Sequence, residues 1–150
     1  MTLPGAIELP DGARVRGRGL RNPTPEGTPD YALYLGSPRM RRDVMARADA
    51  PSWPHEWVEW PDFRLPRSPE HAVALIRDLH ARAAAGERVE VACGGGVGRT
   101  GTVIACLAVL AGVPSGEAVA WTRANYSRRA VETPWQKRWV RRFPDVTSKR

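Results

Sequence analysis

Cysteine is scarce in this chain: two in 150 residues. Because 42% of the residues are hydrophobic, a chain of this length buries a core without covalent staples. The two cysteines therefore need not form the disulfide framework of a small secreted domain, and at least one thiol is free for another task. Lysine is almost missing, since nearly all of the 23 basic residues are arginine. Long hydrophobic runs are missing as well. The longest, Val103 to Ala111, is too short to span a bilayer, and the first thirty residues hold no apolar segment of the signal-peptide kind. These absences lead us to expect a soluble cytoplasmic protein with no membrane contact. No repeat, low-complexity tract or linker divides the sequence, so residues 1–150 are read as a single domain, expected to be a monomer. No cluster of His, Cys, Asp or Glu has the spacing of a metal site, and no metal or other cofactor is expected. The formal net charge is +7, but no aromatic and basic stacking platform accompanies it. Nucleic acid is not the expected partner, and the surplus arginine is read as a solvated surface.

What is present divides the chain in two. Most of the fourteen prolines fall in the first 70 residues, which read as short strands separated by turns and irregular loops. Tyr31 to Leu35 and Glu56 to Trp60 have the short, aromatic and β-branched character of strands. Ser68-Pro69-Glu70 then opens a helix, with an N-cap, a proline at the first helical position and an acid near the positive dipole end. That helix carries Ala72, Val73, Ile76, Leu79 and Ala83 on one face and stops at Gly86. Arg88 to Ala92 reads as a strand leading into Cys93. Thr102 to Ala111 reads as a buried apolar helix, and Pro114 to Tyr126 as another, capped by Ser115. Thr133-Pro134-Trp135-Gln136 opens a last one, with Trp135, Trp139, Val140 and Phe143 expected to face inward. The expected fold class is α/β, a central mixed or parallel sheet flanked by helices.

The turn between the central strand and the buried helix holds the chemistry. It reads Cys93-Gly94-Gly95-Gly96-Val97-Gly98-Arg99-Thr100-Gly101. Its glycines let successive backbone N–H groups converge on one point, a nest for an anion, and a helix starting near Arg99 adds its positive end. The same field favours the thiolate of Cys93 and makes it a nucleophile. Arg99 can curl back over the loop and pair two phosphate oxygens as a planar fork, which lysine cannot reproduce. Thr100 places a hydroxyl able to donate to the sulfur. Cys106, inside an apolar helix, reads as core packing.

Transfer of phosphate to a thiolate also requires a proton for the leaving oxygen. Asp62, in the proline-bracketed loop Trp60-Pro61-Asp62-Phe63-Arg64-Leu65-Pro66, is the candidate acid; taken alone, the same residue also reads as a turn former. Gln136 fits two compatible roles. It can hold the water that attacks a phosphocysteine, and with Thr133 it makes a capping box.

Together these pieces resemble the protein tyrosine phosphatase superfamily of cysteine-dependent phosphatases. The likeness rests on Cys-x5-Arg-Thr-Gly at 93–101, Trp-Pro-Asp at 60–62 and the Glu132-Thr133-Pro134-Trp135-Gln136 stretch, in order, across about 60–143. The short chain and the Cys-Gly-Gly-Gly-Val-Gly-Arg loop are similar to small dual-specificity members. The resemblance implies that fold, with the phosphate loop between a central strand and a buried helix. It also implies hydrolysis of phosphomonoesters through a phosphocysteine, with Cys93 as nucleophile, Arg99 as phosphate clamp, Asp62 as general acid, Thr100 assisting departure of the sulfur and Gln136 positioning water. The backbone amides of Gly94, Gly95, Gly96, Val97, Gly98 and Arg99 would bind the phosphate, and a phosphate or sulfate ion is expected in the loop. One departure is Ala92, where the family usually has a histidine that orders the loop. The expected substrate is a phosphorylated protein, through phosphotyrosine and also phosphoserine or phosphothreonine. The alternatives are a non-catalytic phosphopeptide binder and a phosphatase of inositol lipid or RNA 5′-phosphate.

Overall fold

The computed structural model describes residues 2–143. In chain order the elements are β1 (Ile7–Glu8), β2 (Arg14–Gly19), β3 (Tyr31–Gly36), α1 (Pro38–Met45), β4 (His55–Glu59), α2 (Pro69–Ala84), β5 (Val89–Cys93), α3 (Gly98–Leu110), α4 (Ala118–Asn125) and α5 (Pro134–Arg141). The strands form one five-stranded sheet in the order β1-β2-β5-β3-β4. β1 pairs with β2 antiparallel, and every other pairing is parallel. This is the mixed α/β sheet expected from the sequence. β5 lies in the middle with every residue buried, as a parallel strand covered on both faces requires.

Alternation along the strands separates two cores. On one face Val15, Leu33, Leu35, Val91 and Cys93 join residues of α2, α3, α4 and α5 in a single buried cluster. On the other, Leu20, Ala32, Tyr34 and Ala92 pack with Val44 of α1. α2 buries Ala72, Val73, Ile76, Leu79 and Ala83, the face its 3.6-residue period predicts. α3 begins four residues before Thr102 and is buried continuously from Gly98 to Ala108, so its first turn contains Arg99 and Thr100.

Three expectations need correction. The helix expected at Pro114 starts at Ala118, with Glu117 as its N-cap. Residues 115–117 instead form a turn closed by Glu117 N–H donating to the Pro114 carbonyl at 2.8 Å, and Gly116 within it weakens any helical continuation. Trp135 does not face inward, being 46% exposed, whereas Trp139, Val140 and Phe143 are buried as expected. α1 falls where only strands and loops were expected. It starts at Ser37-Pro38, with the Ser37 hydroxyl accepting from Met40 N–H at 3.1 Å, the same kind of start signal that was recognised at Ser68-Pro69. No helix among the described residues is long and apolar enough to cross a membrane.

Candidate active site

β5 ends at Cys93 in the middle of the sheet, and the chain must turn within five residues to enter α3. Two backbone bonds fix the start of that turn. Leu20 N–H donates to the Cys93 carbonyl at 2.7 Å and Arg21 N–H to the Gly94 carbonyl at 3.0 Å, carrying the β2–β5 pairing into the loop. At Gly96 the backbone has φ +75°, and a Cβ there would collide with the main chain of Arg18 and Gly19. Only glycine meets both conditions. The Gly96 N–H points at Cys93 Sγ, 3.3 Å away. The Gly96 carbonyl faces outward, where the Tyr126 hydroxyl donates to it. Because the peptide bond is trans, the Val97 N–H is turned to the opposite side. Tyr126 is partly buried and holds its phenolic proton well above the ordinary range, through burial first and the nearby Cys93 second.

Arg99 is 3% exposed. Its Nη1 donates to the Trp60 carbonyl at 2.8 Å, and its Nε lies 3.5 Å from Asp62 Oδ1. That Nε makes no hydrogen bond, which leaves donor capacity on the guanidinium for a ligand. The Thr100 hydroxyl is fully buried and has no hydrogen-bond partner among the described residues. An orphan hydroxyl at this place costs stability unless something else satisfies it.

The acid loop is held from both sides. From inside, the buried Trp60 indole donates to the Arg64 carbonyl at 2.7 Å, with its ring edge-on to Trp139. From α5, Trp135 Nε1 donates to the Phe63 carbonyl at 2.6 Å and Gln136 Nε2 to the Arg64 carbonyl at 3.1 Å. Phe63 adopts φ 60°, a left-handed conformation that is unusual for a bulky residue and needs such bonds to hold it. Asp62 itself is half-exposed and accepts from Phe63 N–H at 3.0 Å.

The fold thus brings Cys93, the loop from Gly94 to Gly98, Arg99 and Asp62 to one place, while Thr100, in the first turn of α3, makes no hydrogen bond to the Cys93 sulfur. Gln136 stands one step back. Its Oε1 accepts from Glu132 N–H at 3.0 Å and Thr133 N–H at 3.3 Å, and Thr133 Oγ1 accepts from its own N–H at 3.2 Å. This is the capping box anticipated from the sequence, with the side-chain amide also fastening the acid loop.

Two residues with no role assigned from the sequence belong here. One is Tyr126, whose grip on Gly96 spans thirty positions and leaves no local signal. The other is Glu132, whose carboxylate occupies the space a Cβ at Gly98 would need. Burial, and then the charge of Asp62, raise its protonation range above that of an ordinary glutamate, while Arg129 and Arg99 oppose the shift.

The Gly96 N–H, the start of α3 and the buried Arg99 guanidinium, with the Cys93 thiol and the Asp62 carboxyl beside them, are the groups from which an anion site is built. Comparison with solved structures finds the same architecture elsewhere. Tk-PTP in its active form is 22% identical, covers 99% of each chain and superimposes with a TM-score of 0.68. Kinase associated phosphatase is 15% identical over 80% of this chain and 71% of its own, with a TM-score of 0.63. PTPMT1 in complex with PI(5)P is 14% identical over 79% of both chains, with a TM-score of 0.56. At these identities the likeness shows the fold. No curated protein matches the sequence. Residues 62–146, which run from the candidate acid through the phosphate loop to α5, match the domain family described as PTP-SAK, Swiss Army Knife protein, DSP-PTPase phosphatase domain. That match takes in more than half of the chain and every candidate catalytic residue, so the chain belongs to this phosphatase family, as a small cysteine-dependent member resembling the dual-specificity enzymes.

Proposed function

We propose that this phosphatase hydrolyses phosphotyrosine in proteins, and also phosphoserine or phosphothreonine, in two steps through a phosphocysteine. In the first, the Cys93 thiolate forms a bond to phosphorus as the bond to the ester oxygen breaks. Asp62 gives its proton to that oxygen. In the second, water attacks the phosphocysteine, Asp62 takes its proton, and the sulfur leaves as thiolate with the Thr100 hydroxyl donating to it. The loop amides and Arg99 hold the three equatorial oxygens throughout, where charge builds in the transition state. The observation that carries this reading is the convergence on one loop of Gly96 N–H at the Cys93 sulfur and Arg99 Nε beside the Asp62 carboxylate.

A peptide carrying phosphotyrosine is favoured by the mouth of the site, where Phe63 and Trp135 are exposed aromatics on the acid loop and α5 and offer faces for an aryl group. Gly95 and Val97 place no cation inside the loop. The inositol lipid bound by PTPMT1 supplies the second reading. A nucleophilic thiolate requires a reducing compartment, so we place the protein in the cytoplasm, acting as a monomer.

The test is Cys93→Ser, with rapid-quench kinetics on the wild type. The wild type should show a burst of phosphocysteine, and the variant should lose hydrolysis of an aryl phosphate while still binding inorganic phosphate. Near-wild-type turnover in the variant would remove Cys93 from the mechanism, and a wild type without turnover would indicate a phosphopeptide binder. Phosphopeptides assayed beside inositol phosphates decide the substrate class.

A further inference from the structure

The sheet ends on one side at β4, and no strand pairs with the outer edge of β4. The ladder with β3 fixes which groups that edge offers. Ala32 N–H donates to the Pro54 carbonyl and Trp60 N–H to the Gly36 carbonyl. Residues 54, 56, 58 and 60 therefore turn their backbone groups toward β3, and His55, Trp57 and Glu59 turn theirs away. The Glu59 carbonyl is taken by Arg67 N–H at 3.0 Å. Among the described residues, nothing takes the outward N–H and carbonyl groups of His55 and Trp57. An uncovered edge of this kind is a template for another extended chain.

Beside it lies a concavity of about 320 Å3 between α1 and β4, walled by Ser37, Pro38, Arg41, Arg42, Trp57 and Glu59. Arg41 and Arg42 are exposed, and their side chains have no ion pair and no hydrogen bond among the described residues. Glu59 does not answer them, because its carboxylate pairs with Arg67 at 3.5 Å. Glu56, the other acid of β4, alternates onto the opposite face with Val58, which packs in the core on that side. The face of the edge that α1 borders is therefore positive, and its guanidinium groups gain when carboxylates arrive. Register sets this edge beside the chemistry. Tyr34 of β3 stands opposite both Trp57 and Ala92, so the free edge is level with the residue before Cys93.

We propose that the outer edge of β4 and the Arg41–Arg42 concavity form a docking site for an extended acidic segment of the phosphoprotein substrate, which adds to the sheet as a further strand. The assignment rests on the phosphatase reading above and adds to it a surface that selects the protein. Backbone bonds to His55 and Trp57 hold the segment, and alternate Asp or Glu side chains reach the arginines. A chain added beside β4 lies three strand spacings from β5, about 15 Å, so at least about five extended residues separate the acidic segment from the phosphotyrosine. Because the segment touches none of the reacting groups, it acts on KM and leaves kcat alone.

The experiment compares a phosphotyrosyl peptide with neutral flanks, the same peptide joined through a short Gly/Ser linker to the segment Glu-Val-Glu-Val-Glu, and the joined peptide N-methylated throughout that segment, which keeps its charge and removes its backbone donors. The enzymes are the wild type and the double variant Arg41→Gln with Arg42→Gln. Exposed charge contacts contribute up to about fivefold each at low salt, and pairing along the edge adds to them. The wild type should therefore favour the joined peptide by at least about tenfold in kcat/KM, through KM. The double variant and the N-methylated segment should each cut that preference at least about fivefold, with the neutral peptide unchanged on both enzymes. Added salt should erode the part due to charge. A wild type without the preference would overturn the site, as would a double variant slowed equally on the neutral peptide. An N-methylated segment as good as the unmodified one would overturn strand addition. A wild-type dimer in sedimentation that the double variant converts to a monomer would assign the edge to a second copy of the chain and overturn the substrate assignment. Calorimetric binding of the free acidic segment to Cys93→Ser reads docking without catalysis. Binding there, beside a wild type that turns nothing over, would retire the phosphatase mechanism and leave the docking edge standing.

Discussion

Arg99 shows how much one residue of this site depends on its neighbours. Its guanidinium is buried, anchored to the Trp60 carbonyl and near the Asp62 carboxylate, so Arg99 and the loop of Asp62 hold one another in place. Ala92, where the family usually has histidine, is fully buried beside Leu20, Tyr34 and Val44. Order in the loop comes instead from the Tyr126 hydroxyl on Gly96 and the backbone bonds from Leu20 and Arg21. The two carboxyls near the loop should separate by experiment. Asp62→Asn should lower kcat by about a hundredfold or more on alkyl phosphates and much less on good aryl leaving groups, which need no proton; an equal effect on both would exclude Asp62 as the acid. Glu132 should act through charge. Burial and Asp62 raise its protonation range, so it is neutral at low pH and becomes anionic only above the usual glutamate range. Its charge then sits beside Gly98 and opposes an anion in the loop. Sulfate, which keeps its own charge across this range, should inhibit less well as pH rises through that titration. Glu132→Gln should reduce this loss by about fivefold, one partly exposed charge pair in magnitude. An unchanged pH profile in Glu132→Gln would show that its carboxylate does not face the bound anion.

At the scale of elements, the acid loop and α5 form one device. Trp135 was read from the sequence as a core residue because it shares a helical period with Trp139, Val140 and Phe143. The structure spends its indole N–H on the Phe63 carbonyl instead, leaving the ring in solvent. Period alone does not distinguish a stripe that packs on the core from one residue of it that reaches sideways to a loop. Trp135→Phe keeps the ring and removes the donor. The loss of one hydrogen bond, about 0.5–1.5 kcal/mol, should lower kcat between about twofold and tenfold with little change in KM, measured on an aryl phosphate at saturation. An unaltered kcat would mean that Trp60 and Gln136 suffice to hold the loop. Legibility along the chain follows the same logic. β3, β4, β5 and α2 were evident because each carries its own period and its own start or stop. The phosphate loop was evident because several glycines between a strand and a helix have few other uses. α1 escaped because its polar, arginine-rich sequence buries only Val44, so a capped start had no apolar stripe to confirm it. α4 starts at Ala118 and not at Ser115, because Ser115 resembles a cap but Gly116 follows it. Tyr126 and Glu132 escaped because their contacts are made only once the chain has folded.

The whole molecule places an unusual charge cluster beneath the site. Glu90, in the central strand three residues before Cys93, is fully buried. Arg16 Nε donates to its Oε1 at 2.9 Å, Arg18 Nε lies 3.0 Å from its Oε2, and the Tyr34 hydroxyl donates to Oε2 at 2.7 Å. Trp53 Nε1 donates in turn to Tyr34 at 2.8 Å. Arg16 also reaches the carbonyls of Glu26 and Gly27, so one carboxylate joins β2, β3, β5 and the segment that runs from Arg21 to β3. In the sequence, Arg88 to Ala92 reads only as a strand with one acid in it. That the acid lies inside depends on the register setting Arg16 opposite Glu90 and Arg18 opposite Ala92, which no local pattern encodes. Two guanidinium groups and one carboxylate in a dry layer are tolerable only as a set. Glu90→Gln keeps the shape and removes the charge, leaving both arginines without their counter-ion, and should cost about 3–5 kcal/mol of unfolding free energy in urea. Because β5 carries Cys93 and the segment after β2 supplies the backbone donors to Cys93 and Gly94, the surviving folded fraction should also bind inorganic phosphate less tightly. If Glu90→Gln unfolds in urea with the wild-type midpoint, the cluster is a passive ion set and does not stiffen the phosphate loop.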